Sequence, residues 1–212
     1  VTCIVGLRRN GRITIAGDSA GTDGRLVQTL RTDPKVFERT DDNGVRWIFG
    51  YCGSFRLGQL LRFSLRLPEV RMKPGAELEF MATRFLDAVR NCLKEGGFAE
   101  RKHEQEFGGC FMVGVQGHLF TIYDDYQVAT EACDFSAIGC ADQVALGAMH
   151  IMVRLAVHDP GTLAHDADMV IDALKAAEAF SAGVRRPWVI ISDPGSTTAD
   201  AVTEALQPGA QQ

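Results

Sequence analysis

Two β-sheets packed face to face, with a helix pair over each outer face, form the α+β, four-layer αββα architecture that this sequence predicts. Three observations predict it. The segments run in the order strands, two helices, strands, two helices, strand, which supplies two sheets and two helix pairs. Asn10-Gly11 sits between two apolar runs and marks a tight hairpin at the start of the chain. Neither a repeat nor a linker interrupts residues 1–193, which read as one domain, and residues 194–212, rich in Gly, Ser, Thr, Ala and Gln, read as a flexible tail.

Each element has its own signal. Residues 2–9 and 12–18 flank the Asn10-Gly11 turn, and the second alternates Ile13, Ile15 and Gly17 with Thr14 and Ala16. Residues 19–34 are rich in Gly, Asp and Thr and read as a structured loop. Residues 35–39 and 45–53 form a second hairpin across Asp41-Asp42-Asn43-Gly44. Leu57, Leu60, Leu61 and residues 63–65 mark a first helix. A second, over 75–93, places Leu78, Phe80, Met81, Phe85, Leu86, Val89 and Leu93 largely on one face, and Gly96-Gly97 ends it. Residues 98–107 are charged and read as exposed. Strands are expected over 110–115, 119–123, 126–130 and 135–139, helices over 141–158 and 167–183, the latter capped by Asp166, and a last strand over 188–192.

The 212 residues suit one domain with a sizeable core, 46% hydrophobic and 23% charged, with net charge −5. No basic block points to nucleic acid, and no apolar run of about 18 residues or secretory signal points to a membrane. Six cysteines stand singly with no CxxC pair, which argues against zinc and for a reducing, cytoplasmic location. The five histidines share no ligand spacing and read as exposed or structural. No metal or organic cofactor is implied.

Thr2 opens the string TCIVGLRRNGRITIAGDSAGTDG. A threonine hydroxyl is a weak nucleophile without an adjacent base, and a free α-amine on the same residue can be that base. Val1 stands before it. The expectation is that Val1 reflects a GTG start codon read literally, so that the initiating methionine is removed and Thr2 exposed. A true one-residue extension, or a retained Val1, are the other two explanations.

TCIVGLRRNGRITIAGDS, followed by PKVF, resembles the opening of proteasome β-type subunits and of the HslV peptidase over about forty residues. These are N-terminal nucleophile hydrolases; the opening is closest in wording to HslV, while FGYCGSFRLGQLLR resembles a less-studied bacterial homologue, with the proteasome homologue of β-proteobacteria the nearest. The resemblance implies Thr2 as nucleophile, Asp18 as the family's aspartate and Lys35 as its lysine, one residue later than the family spacing. Lys35 as an ammonium would favour the Thr2 alkoxide, with Asp18 holding it in place. Gly53 falls where the family has its oxyanion donor, at the start of the first helix. The family's amine-supporting serine falls on Cys140, and its Asp-x-x-Ser pair on Glu178 and Ser181. Cys140 is either a weaker amine partner or merely a small buried residue. Thr22 matches a backbone clamp for extended peptide, and Tyr51 and Phe55 match positions near the P1 pocket, implying a shallow apolar pocket for small or medium residues.

The function implied is hydrolysis of peptide bonds inside a self-compartmentalised homo-oligomer, a stacked double ring of roughly 12–14 subunits, acting on peptide or unfolded polypeptide. A separate AAA+ unfoldase would feed it, since GxxxxGK[ST] is absent from this chain. Two other readings stay open: a silent or weakly active ring subunit with a structural or partner-binding role, and an amidase acting on small amides.

Overall fold

The computed structural model describes residues 2–22, 28–102, 104–158 and 165–193. The expectations for Val1, His103 and the tail from residue 194 lie outside them.

Strands β1 (Cys3–Arg9), β2 (Arg12–Gly17), β12 (Phe135–Gly139) and β13 (Val189–Ser192) build one sheet, in the order β12-β1-β2-β13. Strands β5 (Val36–Thr40), β6 (Arg46–Tyr51), β9 (Phe111–Val115), β10 (His118–Ile122) and β11 (Val128–Ala129) build the other, in the order β11-β10-β9-β6-β5. All pairings in both sheets are antiparallel. Helix α1 spans Phe55–Phe63. Helices α2 (Glu77–Phe80) and α3 (Leu86–Glu95) are joined through a π-helical turn at Met81–Phe85, and α4 (Asp142–His158) and α5 (Asp166–Phe180) form the other pair.

Side-chain alternation divides the apolar residues into three layers. Ile4, Ile13, Ile15, Val36, Ile48 and Met112 meet between the sheets. Cys3, Val5 and Leu7 point the other way, onto Ala145, Met149, Val170 and Leu174 of α4 and α5. Trp47, Phe49, Phe111 and Val113 point onto Leu57, Leu61, Phe85 and Leu93 of the opposite helices. Trp47 stacks on Phe85 with ring centroids 5.2 Å apart. Strands covered on both faces read as near-continuous apolar runs, and this is why they were legible.

Several boundaries differ from expectation, each for a local reason. Residues 19–34 are not all loop: β3 (Ala20–Thr22) and β4 (Gln28–Leu30) pair as a short ribbon. Residues 98–107 include the hairpin β7 (Glu100–Lys102) and β8 (Gln105–Phe107). The strand over 126–130 shrinks to two residues because Tyr126, at φ +67, turns the chain, and the Tyr123 N–H donates to the Gln127 carbonyl. Asp166 is not the cap of α5. His165 occupies that place without a side-chain bond, and Asp166 sits in the first turn, 3.3 Å from the Arg9 guanidinium. The same helix stops at Phe180, since Ser181 is extended and the Arg185 guanidinium satisfies the Glu178 and Ser181 carbonyls. No helix among the described residues is long and apolar enough to cross a membrane.

Candidate active site

Thr2 precedes β1 and is 4% exposed. Its carbonyl continues the ladder between β1 and β12, accepting the Cys140 N–H at 2.9 Å. With Cys3 facing the helices and Ile4 facing the gap between the sheets, strand alternation puts Thr2 on the gap side.

Asp18 lies one residue past β2. Its Oδ1 accepts the Cys3 N–H at 3.1 Å and the Lys35 ammonium at 2.8 Å, and its Oδ2 accepts the Ala20 N–H at 3.0 Å. Three segments therefore converge on one carboxylate: the residue after Thr2, the start of β3 and the base of β5. Asp18 is fully buried and Lys35 is 2% exposed. A buried charge pair is tolerated only when its geometry is good and its polar atoms find partners, and both Asp18 oxygens are hydrogen-bonded here.

Burial pulls the Lys35 ammonium below the ordinary lysine value of 10.5, by more than the charge and hydrogen bond of Asp18 push it up. The sign follows. The unfolded chain holds this proton more tightly than the folded one, so the Lys35 contribution to stability rises with pH between the lowered folded value and 10.5. Any step that needs the ammonium goes the other way. We expect the alkaline limb of a kcat/KM profile to set in below 10.5; a limb at the ordinary lysine value would remove the ammonium from the mechanism.

Cys3, beside Thr2, is not a competing nucleophile. Burial first, and then the charge of Asp18, push its thiol up to about 12, and it packs among the helices.

Gly53 sits between β6 and α1 at φ +83, in the left-handed region that glycine enters freely, and Ser54 caps α1 by accepting the Arg56 N–H. Gly139 ends β12 at φ +110, where a Cβ would overlap the Thr2 carbonyl. Gly53 and Gly139 both line a cavity of about 740 Å³, with Cys52, Cys110, Ser136 and Asp142 among its other walls. A Gly139→Ala variant is expected to strain the backbone by about 1–3 kcal/mol and displace Thr2. A melting temperature equal to the parent's would refute that expectation.

No protein-family model and no curated protein matches the chain. Solved structures do. Thiobacillus denitrificans BPH in complex with epoxomicin aligns over 91% of this chain and 98% of its own, at 18% identity and TM-score 0.71. The chain has the fold of this proteasome homologue, the αββα sandwich. Trypanosoma brucei HslV aligns over 90% of this chain and 98% of its own, at 17% identity and TM-score 0.58. The Anbu (Gly-1) mutant from Hyphomicrobium sp. strain MC1 aligns over 91% and 82%, at 19% identity and TM-score 0.63. At these identities the likeness is one of fold.

Within this proteasome-like fold the remaining candidates divide. The Cys140 thiol is exposed, lies 3.5 Å from the Thr2 carbonyl and is 3.8 Å from the Ser181 hydroxyl, so it is not simply a small buried residue. Glu178 is turned elsewhere: its Oε2 accepts the Arg186 guanidinium at 2.7 Å and its Oε1 the Arg186 N–H at 3.2 Å. Burial alone pushes the Glu178 carboxyl up, but the hydrogen bonds and charge of Arg186 outweigh it and hold it below its ordinary value. Thr22 lies on β3 opposite Gln28. Tyr51 is 4% exposed and packs against the backbone of α1 at Gly58, edge-on to Phe55 at 6.1 Å. The Arg31 guanidinium lies 4.0 Å over the Phe55 ring. Neither ring lines the cavity beside Gly53.

Arg31, Arg186, Cys52 and Gly139 carry structural weight around the site that sequence reasoning missed. Only Gly139 had a signal, as the glycine just before Cys140. Among the described residues, no group of three or more His, Cys, Asp or Glu side chains could hold a metal ion.

Replacing Cys140 by serine tests the thiol's part. A hydroxyl bonds more strongly than a thiol. A gain of about 1 kcal/mol in orienting Thr2 would raise kcat by roughly fivefold. An unchanged or lower kcat would exclude Cys140 from that role.

Proposed function

We propose that this chain is an N-terminal threonine peptidase. The observation that carries the reading is the fully buried Lys35–Asp18 pair, tied by Asp18 Oδ1 to the backbone N–H of the residue after Thr2. An ion pair this deeply buried costs desolvation and has little value as a surface feature, whereas beside a hydroxyl nucleophile it stabilises developing negative charge.

In the proposed reaction the Thr2 hydroxyl attacks a peptide carbonyl while its proton passes to the α-amine, directly or through a water. The Lys35 ammonium stabilises the alkoxide, and the Gly53 N–H receives the oxyanion. The leaving amine takes the proton and departs, leaving an ester on Thr2. Water then attacks the ester, returning the proton to Thr2 and releasing the acid.

Residues 1–193 act as one domain in this reading, and the active form is a cytoplasmic ring of identical copies. Its substrates are peptides or unfolded polypeptides, delivered by a separate AAA+ unfoldase where the target is folded. Thr22 is proposed to clamp extended peptide, and Tyr51 and Phe55 to shape the P1 side from behind, favouring small or medium residues. Cys140 and Ser181 are proposed to orient the terminal amine.

The test is the intact mass and N-terminal sequence of the purified protein, followed by turnover of fluorogenic peptides. We expect the chain to begin at Thr2 and to cleave, and epoxomicin, bound in the Thiobacillus structure, to inhibit it. A chain that keeps a residue before Thr2 and turns nothing over would overturn the reading. The second reading, a silent or weakly active ring subunit, is favoured by one observation: the Glu178 carboxylate is engaged by Arg186, and a thiol stands in the adjoining position. A free Thr2 amine without turnover would favour it.

A further inference from the structure

We propose that Cys52 and Cys110 are a modification site: a vicinal dithiol that a low-molecular-weight disulfide converts to an intramolecular disulfide at the cavity wall. The site is independent of whether Thr2 hydrolyses peptides.

The two residues lie directly opposite one another. The β6–β9 register runs from Trp47↔Val115 to Tyr51↔Phe111, and one step further pairs Cys52 with Cys110. That step is hydrogen-bonded, with the Cys52 N–H donating to the Cys110 carbonyl at 3.1 Å. Facing residues in such a pair have Cα atoms about 5.5 Å apart, inside the range of about 4.4–6.8 Å that a disulfide spans. The Cys52 sulfur lies 3.6 Å from the Cys110 carbonyl oxygen, so its side chain leans toward its partner.

Chemistry distinguishes the two. The Cys52 thiol donates to the Cys110 carbonyl; the interaction between the two thiols holds Cys52 below its ordinary value and Cys110 above it, and burial works against the first and with the second. Lys35 also favours the Cys52 thiolate. Cys52 is therefore the attacking thiol and Cys110 the resolving one. Both line the cavity of about 740 Å³, large enough to admit a small reagent, and neither is fully buried. By contrast Cys3 and Cys92 are buried thiols pushed up by burial.

The steps balance. The Cys52 thiolate attacks one sulfur of the reagent disulfide, forming a mixed disulfide and expelling one reagent thiolate. The Cys110 sulfur, giving up its proton to solvent, attacks the Cys52 sulfur and expels the second. Two electrons pass from the protein to the reagent, and two reagent thiols leave with the two protons.

The experiment uses the full-length chain with 2-hydroxyethyl disulfide as oxidant, acid quench, alkylation of remaining thiols under denaturing conditions, and peptide mapping. We expect a peptide joining Cys52 to Cys110, two hydrogens lighter than the sum of its parts, that disappears on reduction. Cys110→Ser is expected to stop halfway, with the reagent retained on Cys52, and Cys52→Ser to leave Cys110 unmodified. Recovery of Cys52 and Cys110 fully alkylated, or linkage through Cys133 or Cys140 instead, overturns the proposal, and the unsubstituted chain gives that answer even if a variant fails to fold.

Discussion

Replacing Thr2 by alanine is expected to lower peptide hydrolysis by about a thousandfold or more, because the Thr2 hydroxyl is the group that forms the ester in the proposed reaction. Cys3, the next residue, is no substitute, since its thiol is buried, pushed up to about 12 and directed toward the helices. The fold should survive. Thr2 contributes its backbone to the β1–β12 ladder through the Cys140 N–H, and alanine keeps that bond. The stability loss should be limited to the hydroxyl's own interactions, about 1 kcal/mol, read as a melting shift of a few degrees. Thr2→Ser keeps a hydroxyl and an amine in place and should retain measurable turnover. If Thr2→Ala cleaved peptides at the parent rate, with contaminating peptidase excluded, the nucleophile would have to lie elsewhere.

The second large effect separates the two members of the buried pair. Asp18→Ala removes the acceptor for the Lys35 ammonium and for the Cys3 and Ala20 N–H groups at once. Losing one partner of a buried pair costs about 3–5 kcal/mol, because the other charge stays buried without compensation. A domain of this size should melt about 10 °C lower. Lys35→Met leaves the Asp18 carboxylate with its two backbone donors and fills the space with an apolar chain, so it should destabilise less. Both should abolish turnover. Asp18→Asn with Lys35→Met should recover stability beyond Asp18→Ala alone and no activity, since the two positions are coupled. Thermal melts with single-turnover assays check this; an active Lys35→Met would remove the ammonium from the chemistry.

The fold was legible wherever periodicity was strong. The opening hairpin, the aromatic strand β6 and the helix over 77–95 were all readable because each buries a full face. The candidates Thr2, Asp18 and Lys35 came from a family resemblance, since their separation in sequence gave no other means of joining them. What could not be read was set by tertiary contacts that leave no local pattern. Glu178 pairs with Arg186 only because the chain leaves α5 at Phe180 and doubles back. Cys52 faces Cys110 only through a β6–β9 pairing that spans α1, α2, α3 and a hairpin. The β3–β4 ribbon is three residues on each side, too short for alternation to register.

The sheet that carries Thr2 has a consequence for the order of folding. β1 is flanked by β12, and β2 by β13, so the β1–β2 hairpin waits for partners at Phe135–Gly139 and Val189–Ser192. The Ser19 N–H and hydroxyl, next to Asp18, are likewise held by the Arg185 and Pro187 carbonyls. Contacts this distant along the chain form late, after local hairpins and helices. Thr2 is thus held in place by a strand far along the chain, and a chain that stops short of β12 lacks the Cys140 N–H that the Thr2 carbonyl accepts.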